Sequence, residues 1–591
     1  MQHTTVVVVG AGPTGLLLAA ELALQGVRAT VLERLAEPDP TIKAGSINIA
    51  SAEILDRRGL LPAAERVQRR RMTSVDAFAG GASDRTAPEP ADVPESADAS
   101  EPEGGADLAG GAGPADGADR GGQSDWRAWA PGKFPAFGHF AGMLYRDDLL
   151  DQSDPVLAAH TAAVGGFLVP QHDLETLLGE HCARLGVEIR RGVEVYGVRD
   201  GVGATEAAAP GEGVVLETSE GELSAEWIVA ADGGRSVLRK QAGIEFEGTD
   251  PQLVGYQAIA DFDDPSGLSR GWTWTPRGIY AYGPVPGRIL VARFGPQPED
   301  RNAPVTVEEL QSVVRYVTGT EVTIRGIEGR ATRWSDNARQ ARSYRRGRVL
   351  LAGDAAHVHS PFSGQGLNLG LGDAVNLGWK LAATVAGWAP DGLLDTYGSE
   401  RRPIAAWVLD WTRAQVALMR GDEHTAQLRR VVRGELFTVP GVMNRMIALT
   451  AGIEQRYDVA DAADVTAAAG IADTAAEAAA LVGSIAGDIA LASGGRLADH
   501  AHDGRFVLVD RSPGGDFAAA VDQLKPRIAY VPDPASGPAT APAPGGSAAE
   551  PSLLVRPDGV IAWAAASSDA DASERLGRAI RRWIAGDAPG A

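Results

Sequence analysis

Residues 6–16 read VVVVGAGPTGL, and this stretch decides the fold of the first part of the chain. The valines predict a buried strand, and Gly10, Gly12 and Gly15 form a G-x-G-x-x-G turn into an apolar helix. The first glycine permits the tight turn, the second lets a diphosphate approach the backbone, and the third allows close helix–strand packing. The helix N-terminus would present unpaired N–H groups to the phosphates. The pattern predicts a Rossmann-like dinucleotide-binding domain.

A second strand, predicted over residues 29–32, ends at Glu33, 18 residues after Gly15. In this type of domain an acid at that distance accepts hydrogen bonds from the adenosine ribose hydroxyls. This fingerprint is compatible with either NAD or FAD.

Two later motifs decide between these cofactors. Residues 228–239, IVAADGGRSVLR, form a predicted strand that ends in an Asp-Gly turn, and residues 348–357, RVLLAGDAAH, form another that ends in Gly-Asp. The loop SPFSGQGLN, residues 360–368, then leads into a predicted helix over 369–383. Each motif alone is compatible with a structural turn. All three in this order indicate an FAD site.

The three motifs resemble the class A flavoprotein aromatic hydroxylases of the para-hydroxybenzoate and phenol hydroxylase type, above all those of actinomycete aromatic-polyketide pathways. LDTYGSERRP at 394–403 resembles the family's Y-x-x-E-R-x-P helix, and residues 496–508 resemble the start of its thioredoxin-like C-terminal domain. The chain departs from the family at Lys43, where arginine is usual, at Ala50, where a second arginine is usual, and at Ser363, where glycine is usual. Lysine keeps the charge but cannot make a two-pronged contact.

The resemblance implies an α/β fold with a Rossmann-like FAD-binding domain, a substrate domain with a mixed sheet and a thioredoxin-like C-terminal domain. The predicted parts are an FAD-binding domain (1–80, 126–200 and 340–400), a disordered acidic insertion (81–125), a substrate-binding domain (201–339), a helical segment (400–485) and the C-terminal domain (486–591).

The resemblance also implies the reaction and the cofactor contacts. NADPH or NADH would reduce FAD, and reduced flavin with O2 would form a C4a-hydroperoxide that hydroxylates a polycyclic aromatic. Backbone N–H groups of the 361–368 loop would face the N1–C2=O edge of reduced flavin. Asp354 would hold the ribityl chain or the diphosphate edge. No catalytic base is assigned. The predicted cofactor contacts are Gly10, Gly12, Pro13, Thr14, Gly15, Glu33, Arg34, Lys43, Gln171, Asp232, Gly233, Gly353, Asp354, Pro361, Gly364, Gln365, Gly366, Leu367 and Asn368.

The predicted substrate wall lies in the strand-rich region 250–295. Its aromatic residues supply the candidates, each of which is also compatible with ordinary packing. They are Tyr256, Trp272, Trp274, Tyr280 and Tyr282.

The composition and charge of the chain exclude several classes of function. The chain has 591 residues and a net charge of −22, of which −8 lies in residues 81–120, so nucleic acids and anionic membranes are poor partners. No segment is apolar enough for a signal peptide or membrane span, and the single cysteine, Cys182, excludes an intrachain disulfide. We expect a cytoplasmic enzyme without a metal. His357 and His359 lack a further ligand nearby and are interpreted as loop residues.

Three other functions stay open at this point. Baeyer–Villiger oxygenation of a polycyclic ketone uses the same fold, and no residue in the sequence decides against it. An antibiotic-inactivating hydroxylase fits the same motifs, as does a flavin-binding accessory protein without turnover, although the intact flavin loop argues against the last. Whether the chain forms a homodimer is also left open.

Overall fold

The fold is taken from a computed structural model. It describes residues 2–39, 41, 43–81, 133–200, 213–300, 303–459, 473–534, 550–566 and 571–584. The predicted insertion at 81–125 lies outside the described residues, apart from its first residue.

An eight-stranded sheet forms the centre of the first part of the chain. β1, β2, β5, β8 and β17 pair in parallel in the order β17-β8-β1-β2-β5, while β6, β7 and β16 add antiparallel pairs. Val6–Val9 of β1 are buried because both faces of the sheet are covered. The strands are β1 Gln2–Val9, β2 Ala29–Glu33, β5 Glu188–Arg191, β6 Val195–Asp200, β7 Val214–Thr218, β8 Gly221–Ala230, β16 Arg345–Arg346 and β17 Val349–Leu351.

Helices α1, α5 and α8 pack beside one another against this sheet. Cys182 on α5 is fully buried, and its thiol donates a hydrogen bond of 3.2 Å to the carbonyl oxygen of Leu16 on α1. The predicted helix over 369–383 is confirmed within α8. The helices of this part are α1 Pro13–Leu24, α2 Ile49–Asp56, α3 Leu61–Gly81, α4 Pro155–Ala158, α5 Gln171–Arg184, α6 Val237–Gln241 and α8 Gln365–Val385.

A five-stranded sheet in the order β11-β12-β13-β10-β14 forms the second part. All of its described pairs are antiparallel, so the mixed pairing expected for this sheet is corrected to antiparallel. One face packs on helix α7. The elements are β10 Leu253–Phe262, β11 Gly271–Thr275, β12 Gly278–Tyr282, β13 Arg288–Phe294, β14 Ile324–Ser335 and α7 Val307–Thr318.

The two sheets are joined by short strands and followed by helices. β3 pairs with β4, and β9, β15 and β18 form a small sheet. The predicted helical segment contains α9 to α12. These elements are β3 His139–Phe140, β4 Met143–Leu144, β9 Phe246–Thr249, β15 Ala338–Ala341, β18 His357–Val358, α9 Thr396–Ala417, α10 Glu423–Val431, α11 Val442–Ala451 and α12 Asp473–Leu481.

The C-terminal domain is a four-stranded sheet in the order β20-β19-β21-β22, with β19 and β20 parallel. It packs on α8, where the Trp379 ring meets Phe506 and Trp583 edge-on at 5.3 and 6.3 Å. The elements are β19 Phe506–Asp510, β20 Ile528–Pro532, β21 Ser552–Val555, β22 Ile561–Ala565, α13 Ala518–Val521 and α14 Ala572–Trp583.

One predicted boundary is wrong. β8 lies between β1 and β17 in the eight-stranded sheet, so a substrate domain that starts at residue 201 starts too early. Within the part of the chain that the structure describes, no helix is long and apolar enough to cross a membrane.

Candidate functional site

The glycine turn after β1 is tightly packed at Gly10 and Gly15 and open at Gly12. A Cβ on Gly15 would overlap the carbonyl oxygen of Gly10, and a Cβ on Gly10, where φ is +109°, would overlap that of Ala231. Gly12 has no atom within 4 Å of where its Cβ would lie. Packing therefore requires Gly10 and Gly15, while Gly12 leaves open space at the N-terminus of α1, where Pro13 and Thr14 follow. This space fits a diphosphate.

Glu33 is held at the same turn. Its Oε2 accepts a hydrogen bond of 2.8 Å from the Ala11 N–H, and its Oε1 accepts one of 2.9 Å from the Leu35 N–H. These bonds fix the carboxylate at the carboxyl end of β2, where the sequence predicts a contact with the ribose. Arg34 beside it is exposed.

Asp232 and Gly233 follow β8 next to the glycine turn. Asp232 Oδ2 accepts a hydrogen bond of 2.9 Å from the Val237 N–H, and Oδ1 is buried without a partner among the described residues. Burial raises the pKa of this carboxyl. Gly234 lies against Val358, so this turn and the Gly353-Asp354 turn are neighbours.

The Gly353-Asp354 turn lies against the start of α1. A Cβ on Gly353 would come within 3.0 Å of the Thr14 hydroxyl, and the Gly353 N–H donates a 3.0 Å bond to Asp373. Asp354 is exposed, yet the surrounding protein raises the pKa of its carboxyl, while the charges of His357 and Lys43 oppose that rise. The carboxyl group of Asp354 therefore reaches solvent beside the glycine turn, because Gly353 lies against Thr14.

The 361–368 loop, which begins at Pro361, is pinned on both sides. Ser363 has φ +62°, and its hydroxyl lies 2.9 Å from both the His139 carbonyl oxygen and Gln415 Oε1. Asn368 Oδ1 accepts a 2.8 Å bond from the Asn48 N–H, and Asn368 Nδ2 donates a 2.7 Å bond to the Gly364 carbonyl oxygen. The N–H groups at the start of α8 are thereby held in one position.

Gln365, Gly366 and Leu367 lie in this pinned segment, and the side chain of Gln365 folds back onto the loop. Its Nε2 donates 3.1 Å bonds to the carbonyl oxygens of Ser363 and Thr450, and its side chain is buried. The side chain therefore supports the loop from behind, and the loop's contact with a cofactor falls to its backbone.

The segment that begins at Lys43 joins the two sheets. The Gln171 N–H donates a 3.0 Å bond to the Ala44 carbonyl oxygen, which brings together two predicted cofactor residues. Gln171 Nε2 donates to Glu175, and the ammonium of Lys43 lies 3.1 Å from Asp39. Ala50, where the family usually has arginine, is buried on α2.

One face of the five-stranded sheet meets the 361–368 loop. The rings of Trp272 and His139 are tilted relative to each other, with centroids 4.2 Å apart, and Trp272 meets Phe362 edge-on at 6.0 Å. Trp334 meets Phe362 at 5.5 Å. On the same face, the Arg288 guanidinium lies 3.1 Å from where a Cβ of Gly45 would be. Trp272 therefore stays a candidate for the substrate wall.

Trp274 lies on the same face as Trp272, two residues along β11, but makes different contacts. Its Nε1 donates a 3.0 Å bond to the Met419 carbonyl oxygen, and the Arg429 guanidinium lies 5.1 Å from its ring centre. Trp274 is therefore a weaker candidate for the predicted substrate wall than Trp272.

The three tyrosines predicted for the wall lie on the opposite face. The Tyr256 hydroxyl donates a 2.9 Å bond to Glu309 on α7, and the Tyr280 hydroxyl accepts one from the Ser269 N–H. Tyr256, Tyr280 and Tyr282 belong to the core between this sheet and α7. Their placement in the substrate wall is therefore corrected, because strand alternation turns them away from the 361–368 loop.

Both histidines after Asp354 have loop roles. His357 Nε2 lies 2.7 Å from Asp373. His359 Nδ1 donates a 2.8 Å bond to the Ser360 carbonyl oxygen, and its ring lies against Gly366. Burial lowers the pKa of His359 to about 4. Across the described ranges, no three side chains of the metal-binding types are grouped to hold an ion.

Sequence reasoning missed several residues that shape the site. Asn48, Arg288, Trp334, Asp373 and Gln415 belong to no motif, and each reaches the site only through tertiary contacts. The one available signal was the charged Asp373 inside an apolar helix, since a charge in such a helix needs a buried partner.

Two protein families match the chain. The family described as FAD binding domain matches residues 3–412, and the family described as aromatic-ring hydroxylase, C-terminal, matches residues 479–587.

Individual relatives match along nearly the whole chain. A rifampicin monooxygenase from Streptomyces venezuelae is 33% identical over 95% of this chain and 95% of its own length. A 12-dehydrotetracycline 5-monooxygenase/anhydrotetracycline 6-monooxygenase from Streptomyces rimosus is 34% identical over 98% of each chain. The solved structure of an anhydrotetracycline hydroxylase from Streptomyces rimosus matches with a TM-score of 0.71 and 32% identity, over 99% of this chain and 100% of that one.

Proposed function

The chain belongs to the FAD-dependent aromatic-ring monooxygenases, and from this membership we propose that it uses NADPH or NADH and O2 to hydroxylate a polycyclic aromatic compound of the polyketide class. The proposed substrate class rests on one observation, the group of aromatic rings where the five-stranded sheet meets the 361–368 loop. Trp272, Trp334 and Phe362 meet there within 6.0 Å, and such rings bind planar aromatic molecules through stacked and edge-on contacts.

The residues present fit FAD. The open space at Gly12 suits the diphosphate, and the fixed carboxylate of Glu33 suits the ribose. The exposed Asp354 follows Gly353, which lies against Thr14 of the glycine turn. When bound, FAD supplies the oxygen-activating chemistry. The chain binds and orients the cofactor and keeps water from it.

The 361–368 loop has two tasks in this proposal. Its backbone N–H groups, held by Asn368 and Asn48, stabilise negative charge at the helix N-terminus. Phe362 is 1% exposed and helps to exclude water from the reacting atoms.

The relatives favour one second candidate. One relative is a rifampicin monooxygenase, and an enzyme of that kind acts on a finished antibiotic. We therefore keep an antibiotic-inactivating oxygenase as the alternative. A Baeyer–Villiger reaction on a polycyclic ketone remains a possible outcome of the experiment below.

The experiment measures cofactor, coupling and product together. Purified protein is titrated with FAD, and NADPH or NADH use is followed with tetracyclic phenols and with rifampicin as separate substrates. We expect NAD(P)H use to rise on addition of a tetracyclic phenol, and the product to gain one oxygen atom from ¹⁸O₂. Because ring hydroxylation and oxygen insertion beside a ketone add the same mass, NMR of the product distinguishes a phenol from a lactone.

Three outcomes would contradict the proposal. A protein that binds no FAD is not a flavoenzyme. A protein that binds FAD but uses no NAD(P)H fits the accessory role. Turnover with rifampicin alone selects the alternative candidate.

A further inference from the structure

A buried cluster of charges joins the C-terminal domain to α9. Arg556, in the turn between β21 and β22, donates bonds of 3.0 and 2.7 Å to the two carboxylate oxygens of Glu400. Lys380 and Asn376 of α8 also reach Glu400, at 2.8 and 2.7 Å, and Asp558 accepts a 3.0 Å bond from Arg556. Arg556 and Lys380 have no exposed side-chain surface. The positive charges of Arg556 and Lys380 therefore balance the negative charges of the two carboxylates in this cluster.

The next residue along α9 faces the cofactor turns. Arg401 Nε donates a 2.8 Å bond to Asp373 Oδ1, and its Nη2 donates one of 2.9 Å to the Leu369 carbonyl oxygen. Asp373 Oδ2 accepts from the Gly353 N–H at 3.0 Å and lies 2.7 Å from His357. Glu400 and Arg401 thus link the C-terminal domain on one side and the Gly353-Asp354 turn on the other.

Helix α8 connects the same two places. It begins in the 361–368 loop and contributes Asp373 in its first half, then Asn376 and Lys380 farther along. The loop and the Gly353-Asp354 turn therefore both rest on elements that Arg556 holds in place.

Buried ion clusters of this kind are poor sources of net stability, because desolvation offsets most of the Coulomb attraction and apolar residues of similar size perform as well. Burial alone would raise the pKa of Glu400, but Arg556 and Lys380 hold it well below its ordinary value, so the carboxylate stays charged. What the cluster supplies is a fixed geometry, since a two-pronged guanidinium–carboxylate pair sets both distance and orientation.

We propose that Arg556 is a positioning residue for the flavin: the C-terminal domain, through the Arg556–Glu400 pair and the adjoining Arg401–Asp373 pair, fixes the Gly353-Asp354 turn and the 361–368 loop. This inference rests on the proposed function in that FAD is the group positioned.

The test replaces Arg556 by lysine, which keeps the charge and removes the two-pronged contact. The matched control is Arg496→Lys. Arg496 also joins the C-terminal part to the FAD-binding part by a two-pronged bond, at 2.7 and 2.9 Å to Asp56. Asp56 lies at the C-terminal end of α2, opposite the end where Asn48 contacts the 361–368 loop, and it makes no contact with Asp373. Both full-length variants are compared with the unchanged protein at a temperature where all are folded.

Three measurements distinguish a positioning role of Arg556 from a general effect on the stability of the protein. They are amide hydrogen exchange across residues 350–368 without FAD, the Kd for FAD, and the peroxide released per NAD(P)H used. For Arg556→Lys we expect faster exchange in 350–368, a roughly 2- to 30-fold rise in the FAD Kd, and more peroxide. For Arg496→Lys we expect all three to stay within about twofold of the unchanged protein, as for an uncoupled site.

The proposal is overturned if Arg556→Lys leaves exchange and FAD affinity unchanged, or if Arg496→Lys alters them equally, since the effect would then be general domain docking. Should Arg556→Lys fail to fold, Asp558→Asn replaces it, because it keeps the shape of the side chain and weakens the bonds that Asp558 accepts from Arg556 and from Asn376. The same shifts, smaller in size, are then expected. If the unchanged protein binds no FAD, the proposed function fails, while the exchange comparison still decides this inference.

Discussion

The Nε2 atom of His357 lies 2.7 Å from Oδ2 of Asp373, and neither side chain has any exposed surface. The same carboxylate binds the Gly353 N–H and the Arg401 guanidinium, so a single buried acid supports the turn that presents Asp354. Burial alone would raise the pKa of Asp373, but His357 and Arg401 together lower it, which keeps the acid ionised inside the protein.

Asp373→Asn should strongly destabilise the fold. The amide has no charge to oppose the buried Arg401. It also has one acceptor oxygen, whereas the carboxylate of Asp373 has two that bond three groups. The loss of such a buried charge partner costs about 3–5 kcal/mol. Urea unfolding measures the change. Asp410→Asn, which breaks an exposed pair with Arg413, should alter stability by less than about 0.5 kcal/mol. Equal effects of the two changes would contradict the role given to Asp373.

The hydrogen bonds of the Ser363 hydroxyl should offset the strain of its left-handed backbone conformation. At φ +62° a side chain costs about 1–2 kcal/mol relative to glycine, and the hydroxyl bond returns about 1 kcal/mol. Ser363→Ala keeps the strain and loses the bond, so it should be about 1 kcal/mol less stable, whereas Ser363→Gly loses both and should be close to neutral. Thermal unfolding of the three proteins gives the order, and an alanine variant as stable as the serine protein would refute this account.

Alanine substitutions at Gly12 and Gly15 should have different effects, the first on FAD binding and the second on stability. Gly15→Ala forces its Cβ against the Gly10 carbonyl and should cost about 1–3 kcal/mol of stability. Gly12→Ala meets no atom and should cost at most about 1 kcal/mol, as alanine is a poorer N-cap than glycine. Its methyl group occupies the space assigned to the diphosphate, so FAD binding should weaken by about tenfold or more.

Gly179→Ala serves as the control for both glycine variants. Gly179 lies inside α5 with open space around its Cβ position, so alanine there should change neither FAD affinity nor, by more than about 1 kcal/mol, stability. Unchanged FAD binding in Gly12→Ala would remove Gly12 from the cofactor site.

His139 should make the protein less stable in mild acid. Burial, with Arg429 nearby, lowers the pKa of His139 to about 3, while the unfolded chain binds a proton near pH 6.5. Between these two values the unfolded state holds more protons, so stability falls as pH falls. Between pH 7.5 and 5.5 this histidine should account for a loss of about 1 kcal/mol.

His139→Gln tests this, because urea midpoints of the variant should depend less on pH over that range. His172→Gln, at an exposed position on α5, should keep the pH dependence of the unchanged protein. A variant at 139 with the original pH dependence would show that other groups cause the loss.

The local parts of the site were predictable from the sequence. The turn at Gly10–Gly15, the acid Glu33 and the Gly353-Asp354 turn each lie within a short segment whose residue types are set by backbone geometry. The wall of the aromatic site was predicted only in part. Tyr256 and Trp272 both lie on strands of one sheet, and which face each occupies depends on strand register, which composition alone does not determine.

The partners within the buried charge clusters were not predictable from the sequence. Arg556 lies 156 residues from Glu400, and Asp373 lies 28 residues from Arg401. No local pattern reports a contact over such separations, since the pairing depends on how the C-terminal domain docks on α8 and α9.

The buried position of Cys182 has a consequence for the proposed reaction with O2. A turnover that loses its oxygen releases peroxide, and peroxide attacks thiolates that are accessible and ionised. The chain's single thiol is neither, because it has no exposed surface and burial raises its pKa to about 12. Peroxide released during the proposed reaction would therefore find no accessible sulfhydryl to oxidise, and Cys182 should stay reduced during turnover that is not coupled to hydroxylation.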